Sequence, residues 1–176
     1  MTASEVFESM TGSGSSDFAV LVDVLNTHGP WCLIGGLAVN CYVEPVYTLD
    51  ADIIVVSSEV PTIKQELVEK GFSIHEVPHS MNARMAGSDL RIQFSLDPRY
   101  QDFLGETMVR EVLGQQVPVA SLDNVIRGKI WAWSDESRRP TKRKKDELDL
   151  MRILEAYPEM RSVMPKEIRA QLPETE

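Results

Sequence analysis

Apolar residues recur at helical spacing in Phe18, Leu21, Val22 and Leu25, and the run stops at Gly29-Pro30, which predicts a first helix starting near Ser16. Residues 31–34 form a short apolar strand, Gly35-Gly36 breaks it, and 37–43 has the small-residue character of a helix packed on a sheet. Residues 48–56 alternate and then turn wholly apolar, with Asp50 and Asp52 as their only charges. An amphipathic helix over 60–70 is closed by Gly71. Strands are predicted at 72–77, 81–85 and 90–96, and a hairpin at 108–113 and 116–120 turns at Gly114-Gln115. Ser121 offers an N-cap for a helix over 122–133, a basic strap follows, and a last long helix spans 141–156. No repeat or linker interrupts the pattern. The expectation is a flexible or helical N-terminal extension over 1–15 and one mixed domain over 16–176, with a sheet core at 31–120 and C-terminal helices at 121–172.

The chain has 176 residues, a length suited to one ordinary domain, and its hydrophobic content of 43% excludes wholesale disorder. No apolar run approaches the roughly 18 residues of a spanning helix. The N-terminus lacks the basic start and apolar centre of a secretion signal, so a cytoplasmic protein without membrane contact is expected. Cys32 and Cys41 have no CxxC spacing and read as two reduced thiols. The net charge of −9 argues against broad nucleic-acid coating. The bases are nonetheless uneven, since Arg138, Arg139, Lys142, Arg143, Lys144 and Lys145 fall within eight consecutive positions.

The candidate chemistry centres on Gly35-Gly36 and Asp50-Ala51-Asp52. Residues i and i+2 of a strand share a face, so the two carboxylates stand side by side. Mg²⁺ is held by one or two carboxylates together with phosphate oxygens and water. A side-chain-free helix start supplies backbone N–H groups for phosphate. Taken singly, a DxD pair is also a solvated strand end and a Gly-Gly pair also a tight turn; their order on these elements is what points to function.

Ile34-Gly35-Gly36-Leu37-Ala38 followed by Thr48-x-Asp50-x-Asp52 resembles the signature of the nucleotidyltransferase-fold superfamily, and within it the small bacterial group that includes the abortive-infection nucleotidyltransferase toxins. Lys129 and then Arg143-x-Lys145-Asp146-x-x-Asp149-Leu150 are similar to the pattern those proteins carry after the sheet, so the likeness spans about residues 31–154. It implies an α/β (α+β) fold, a nucleotidyltransferase-like mixed β-sheet flanked by helices with a helical C-terminal part. It implies Mg²⁺ as cofactor and transfer of a nucleotide monophosphate from an NTP to a protein, RNA or small-molecule hydroxyl. For the toxin group it also implies an antitoxin-like protein partner. By the same resemblance Asp50 and Asp52 are the catalytic metal ligands, Gly35 and Gly36 contact the triphosphate, and Lys129 and Lys145 face phosphate or base. Asp146 orients those cations or is a plain helix-start acid.

Two positions depart from the pattern. Val46 stands where the family often has Arg, and Gln93 stands where active members have a third acid. An amide cannot take a proton from an attacking hydroxyl. Asp89 lies on the same strand face about 13 Å away, too far to substitute. Two readings therefore stand side by side: a Mg-dependent nucleotidyltransferase, and a degenerate relative that binds a nucleotide or a partner. A sugar-nucleotide glycosyltransferase DxD is disfavoured, because only 49 residues precede Asp50. His75 and His79 flank Pro78 and do not make a helical zinc pair, His28 reads as a cation at a helix end, and Trp131 and Trp133 read as packing residues.

Overall fold

A computed structural model describes residues 13–173. The first helix, α1 (Gly14–Leu25), buries Phe18, Leu21, Val22 and Leu25, and the chain leaves it through Gly29, whose φ of 73° only glycine adopts without strain. β1 (Trp31–Ile34) is buried along its whole length. The next helix, α2 (Gly35–Val39), starts on Gly35 itself; the expected start at 37 was late because two glycines mask a helix beginning. β2 (Asp50–Val55) follows, then α3 (Val60–Glu69) with Pro61 in its first turn, which leads through Gly71 to β3 (Ser73–Val77), β4 (Ser80–Arg84) and β5 (Arg91–Ser95).

A 3₁₀ segment, Pro98–Gly105, which the periodicity did not predict, is capped by Asp97 accepting from the Arg99 N–H. It lays Phe103 into the core. β6 (Thr107–Val112) and β7 (Gln115–Ala120) form the expected hairpin, but the turn is Leu113-Gly114, both at positive φ, as a two-residue hairpin turn requires. The Ser121 side chain accepts from the Asn124 N–H and caps α4 (Leu122–Ser134). The long helix α5 (Pro140–Ala156) begins inside the basic strap, since Pro140 with its fixed φ occupies the first helical turn and starts the helix instead of breaking it. A short helix, α6 (Lys166–Arg169), comes last. The expected extension over 1–15 falls almost wholly outside the described residues, as does the end of the polar terminus.

The strands make one sheet in the order β3-β4-β5-β2-β1-β7-β6, antiparallel except for the parallel pairs β2–β5 and β1–β7. This mixed sheet, with α1 and α3 packed together on one face and α2, α4 and α5 on the other, is the α/β architecture expected. Ile53, Phe94, Ile63 and Leu67 are fully buried between sheet and helices. Both cysteines are free, and burial pushes the Cys32 thiol up to about 12, which leaves it inert. Among the described residues, no helix is long and apolar enough to cross a membrane.

The helices α4 and α5 are joined by a buried charge network. Lys129 donates to Asp146 at 2.9 Å and lies 2.7 Å from Asp149, while Arg138 reaches Asp146 and Arg152 reaches Asp149. Burial acts to lower the Lys129 pKa, but the two carboxylates outweigh it and hold the ammonium charged. Removing one member of such a set strands the others in a dry place. Lys129→Met should therefore cost about 3 kcal/mol of stability, read as a lower urea midpoint with an unchanged m-value.

Candidate active site

Asp50 and Asp52 alternate on β2 with buried Ala51 and Ile53, so the face that carries the carboxylates is set by the burial of the other. Antiparallel pairing puts Ile34 opposite Asp52, and the chain turns directly from Ile34 into Gly35. A Cβ on Gly35 would lie 2.0 Å from Asp52 Oδ2, and Gly35 has a φ of 69°. Only glycine satisfies both constraints. Gly36 is less demanding, with Thr48 Oγ1 at 3.5 Å from the place of its Cβ.

These groups line a cavity of about 410 Å³ between the sheet and the helices α4 and α5. All six residues expected to act together, Gly35, Gly36, Asp50, Asp52, Lys129 and Lys145, line it. Gln93 is there as well, directly opposite Asp52 in the parallel β2–β5 register. Asp89 is not; it is exposed and faces Arg84 at 3.6 Å, so no acid takes the place of Gln93 on β5.

The cations are arranged differently from the sequence expectation. Lys129 lines the cavity, yet its ammonium is held by Asp146 and Asp149 and not left to face phosphate. Asp146 stands buried in mid-helix and pairs with Lys129 and Arg138, so of its two expected readings the geometry matches the acid that orients a cation and not the helix-start acid. Lys145 is exposed and has no ion pair among the described residues. Two residues that sequence reasoning did not assign to the carboxylates bind Asp50: Arg91 Nε sits 2.6 Å from Oδ1 and Lys142 Nζ donates to Oδ2 at 2.7 Å. Lys142 could be found only as a member of the strap, and Arg91 only through its strand register with Asp50.

The two carboxylates thus differ in character. Burial works to raise the Asp50 pKa, but the Lys142 and Arg91 contacts outweigh it and hold it below its ordinary value. Asp52 has no hydrogen-bond donor among the described residues, and burial pushes its pKa up to about 6 against the pull of Lys129 and Lys142. An acid left without a donor, beside a second carboxylate and an amide oxygen, suits a hard cation. Among the described residues no cluster of three metal-binding side chains exists, so phosphate oxygens and water would have to complete the shell. Within those terms the residues present fit one Mg²⁺, provided Asp50 releases one of its cations.

The other sequence candidates stay outside the cavity. His75 lies on β3 and His79 in the turn after it, His28 pairs with Glu66 at 2.5 Å, and Trp131 stacks on Phe103 at 5.6 Å as a packing residue.

No family model and no curated protein matches the chain by sequence. Solved structures do match in fold. The structure of ANT(2″)-Ia in complex with adenylyl-2″-tobramycin is 13% identical over 89% of this chain and 97% of its own, with a TM-score of 0.61. An antigenic nucleotidyltransferase-like protein from Paracoccidioides brasiliensis is 14% identical over 91% and 86%, with a TM-score of 0.56. A structure from H. pylori named as a nucleotidyltransferase is 18% identical over 90% of this chain and 73% of its own, with a TM-score of 0.54.

Two outcomes follow from the site geometry. Gly35→Ala should destabilise by about 2 kcal/mol or more from left-handed strain and crowding, and in an Asp52→Ala background the crowding part should vanish. A double-mutant cycle in urea reads this as a smaller second penalty. The raised Asp52 pKa means the folded state holds a proton that the unfolded chain has already lost between about 3.8 and 6, so Asp52 costs stability as pH rises through that window. Melting curves without divalent metal should show Asp52→Asn gaining on wild type from pH 4 to pH 6 and keeping a constant advantage above it.

Proposed function

We propose that the chain, whose fold is that of the nucleotidyltransferases, binds a Mg-nucleoside triphosphate in this cavity and transfers the nucleotide monophosphate to a hydroxyl acceptor. The observation that carries the proposal is the contact of Gly35 with Asp52, which places a side-chain-free helix start against a donor-free carboxylate at one end of a cavity edged by Lys142 and Lys145. The adenylylated compound named for ANT(2″)-Ia supports transfer as the chemistry of this fold.

In this reading the Gly35 and Gly36 backbone admits the triphosphate, with no side chain between it and the α2 amides. Lys145 draws in its charge. Lys142 is placed to pass from Asp50 to a phosphate oxygen when the ligand enters, which frees Asp50. Bound Mg²⁺ would neutralise charge on the phosphates at Asp50 and Asp52. The acceptor oxygen forms a bond to the α-phosphorus, the bond from that phosphorus to the bridging oxygen breaks, and pyrophosphate leaves with the electron pair. The acceptor proton passes to water, since the Gln93 amide cannot hold it.

A second reading is a nucleotide-binding relative that does not transfer. Gln93 opposite Asp52, and the two cations already on Asp50, favour it.

Titrating the protein with ATP, GTP, CTP and UTP in Mg²⁺, and following pyrophosphate release with an acceptor mixture, tests both. Binding and release that Asp50→Ala/Asp52→Ala abolishes are the expected outcome. Binding without release leaves the second reading, and equal binding by wild type and the double variant removes both.

A further inference from the structure

Strand register extends the site across the sheet. Asp52 on β2 lies opposite Gln93 on β5, Gln93 opposite Asn82 on β4, and Asn82 opposite His75 on β3. Cross-strand partners project to the same face, so these four side chains form one straight row starting at the candidate reaction centre. The row covers three strand spacings, about 14 Å. Gln93 and His75 are exposed and Asn82 is half-buried, and none of the three has a side-chain hydrogen bond among the described residues. Ser95 and Ser80, paired with each other across β5 and β4, stand beside the row on the same face. The opposite face of these strands is apolar and buried through Met81, Ala83, Ile92 and Phe94.

We infer that this row is the acceptor platform and that it takes a neutral, polyhydroxylated ligand such as an oligosaccharide or glycoside; the inference rests on the transfer reading above. Amides, hydroxyls and a histidine both donate and accept, which matches sugar hydroxyls that do the same. Charge argues against the alternatives. Beyond Asp52 the row holds no carboxylate to receive a polycation. The cations on β4 and β5 themselves are already taken, Arg91 by Asp50 at 2.6 Å and Arg84 by Asp89 at 3.6 Å, so these strands offer none of theirs along the row to a nucleic-acid backbone. No aromatic residue stands in the row for a base to stack on. Continuity with Asp52 fixes the occupant as the acceptor: its hydroxyl nearest Gln93 reaches the α-phosphorus while two or three rings lie along Asn82 and His75.

The test uses the full chain labelled with ¹⁵N, with Mg²⁺ and a triphosphate analogue that cannot be cleaved between α and β. Maltotriose, chitotriose and sucrose are the neutral probes, kanamycin the polycationic polyol, and a uridine dodecamer the RNA. A neutral probe should shift the side-chain amide signals of Gln93 and Asn82 and the His75 ring, and Asn82→Ala/His75→Ala should weaken it by about tenfold while leaving analogue binding unchanged. Unchanged analogue binding also shows that the variant is folded. Silence from all three neutral probes, or larger shifts at these residues with kanamycin or RNA, overturns the platform. Failure of the transfer reading is separate: no pyrophosphate is then released in the assay above, or the analogue leaves the Gly35 and Gly36 amides unmoved, and the neutral probes are titrated without the analogue to read the platform alone.

Discussion

Residue 35 has no side chain because Asp52 occupies the volume that one would need. That single close approach fixes the relation between β1, β2 and the start of α2, since Ile34 pairs with Asp52 and the chain must turn at once into a helix over the carboxylate. A larger residue would push β2 and α2 apart, and the cavity floor would lose its shape. Everything else in the site is arranged around it: Gln93 by parallel pairing with β2, and Lys129, Lys142 and Lys145 by the two helices that close over the same sheet face.

Charge is organised on two levels. A −9 chain gathers its strongest basic segment at the cavity, where Arg138 pairs with Asp146, and the buried Lys129 of the neighbouring helix is neutralised in place by Asp146 and Asp149. The network continues outward. Arg152 bridges from Asp149 to the Asn40 side chain and the Glu44 carbonyl, and Asn40 closes the loop by bonding both the carbonyl and the N–H of Val46. The rim of the cavity at Val46 and Tyr47 is thereby tied to the same helix that supplies Lys142 and Lys145. Electrostatics here sets the positions of the walls as much as the field inside them.

Local pattern was enough to read most of the elements. β2 and β5 alternate, α4 carries its cap at Ser121, and α5 shows its apolar stripe, so each announces itself within a few residues. The motif at Gly35, Gly36, Asp50 and Asp52 was legible for the same reason. What escaped was pairing at a distance. Nothing near Asp50 indicates that Arg91 and Lys142 hold it, because the first depends on which strand lies beside β2 and the second on how α5 crosses the sheet. The strap read as a break between two helices because six bases and a proline share it, whereas Pro140 suits a first helical turn. Lys129 could be linked to Asp146 only through the resemblance, and its pairing with Asp149 was not legible, because the two acids are 17 and 20 positions away on another helix.

Gln93 bears differently on the two halves of the proposed chemistry. A carboxylate there would stand beside Asp50 and Asp52 and add a third charge to a place where burial already pushes Asp52 up to about 6. With an amide, the mutual repulsion is smaller and the site tolerates fewer cations, so the two that bind Asp50 from within the chain suffice to balance it. In the proposed transfer the same amide offers no proton acceptor, which would leave the burden to positioning. An uncharged residue next to Asp52 in the proposed acceptor row would then serve a purpose an acid would not: it would present to the acceptor hydroxyl a group that orients without ionising.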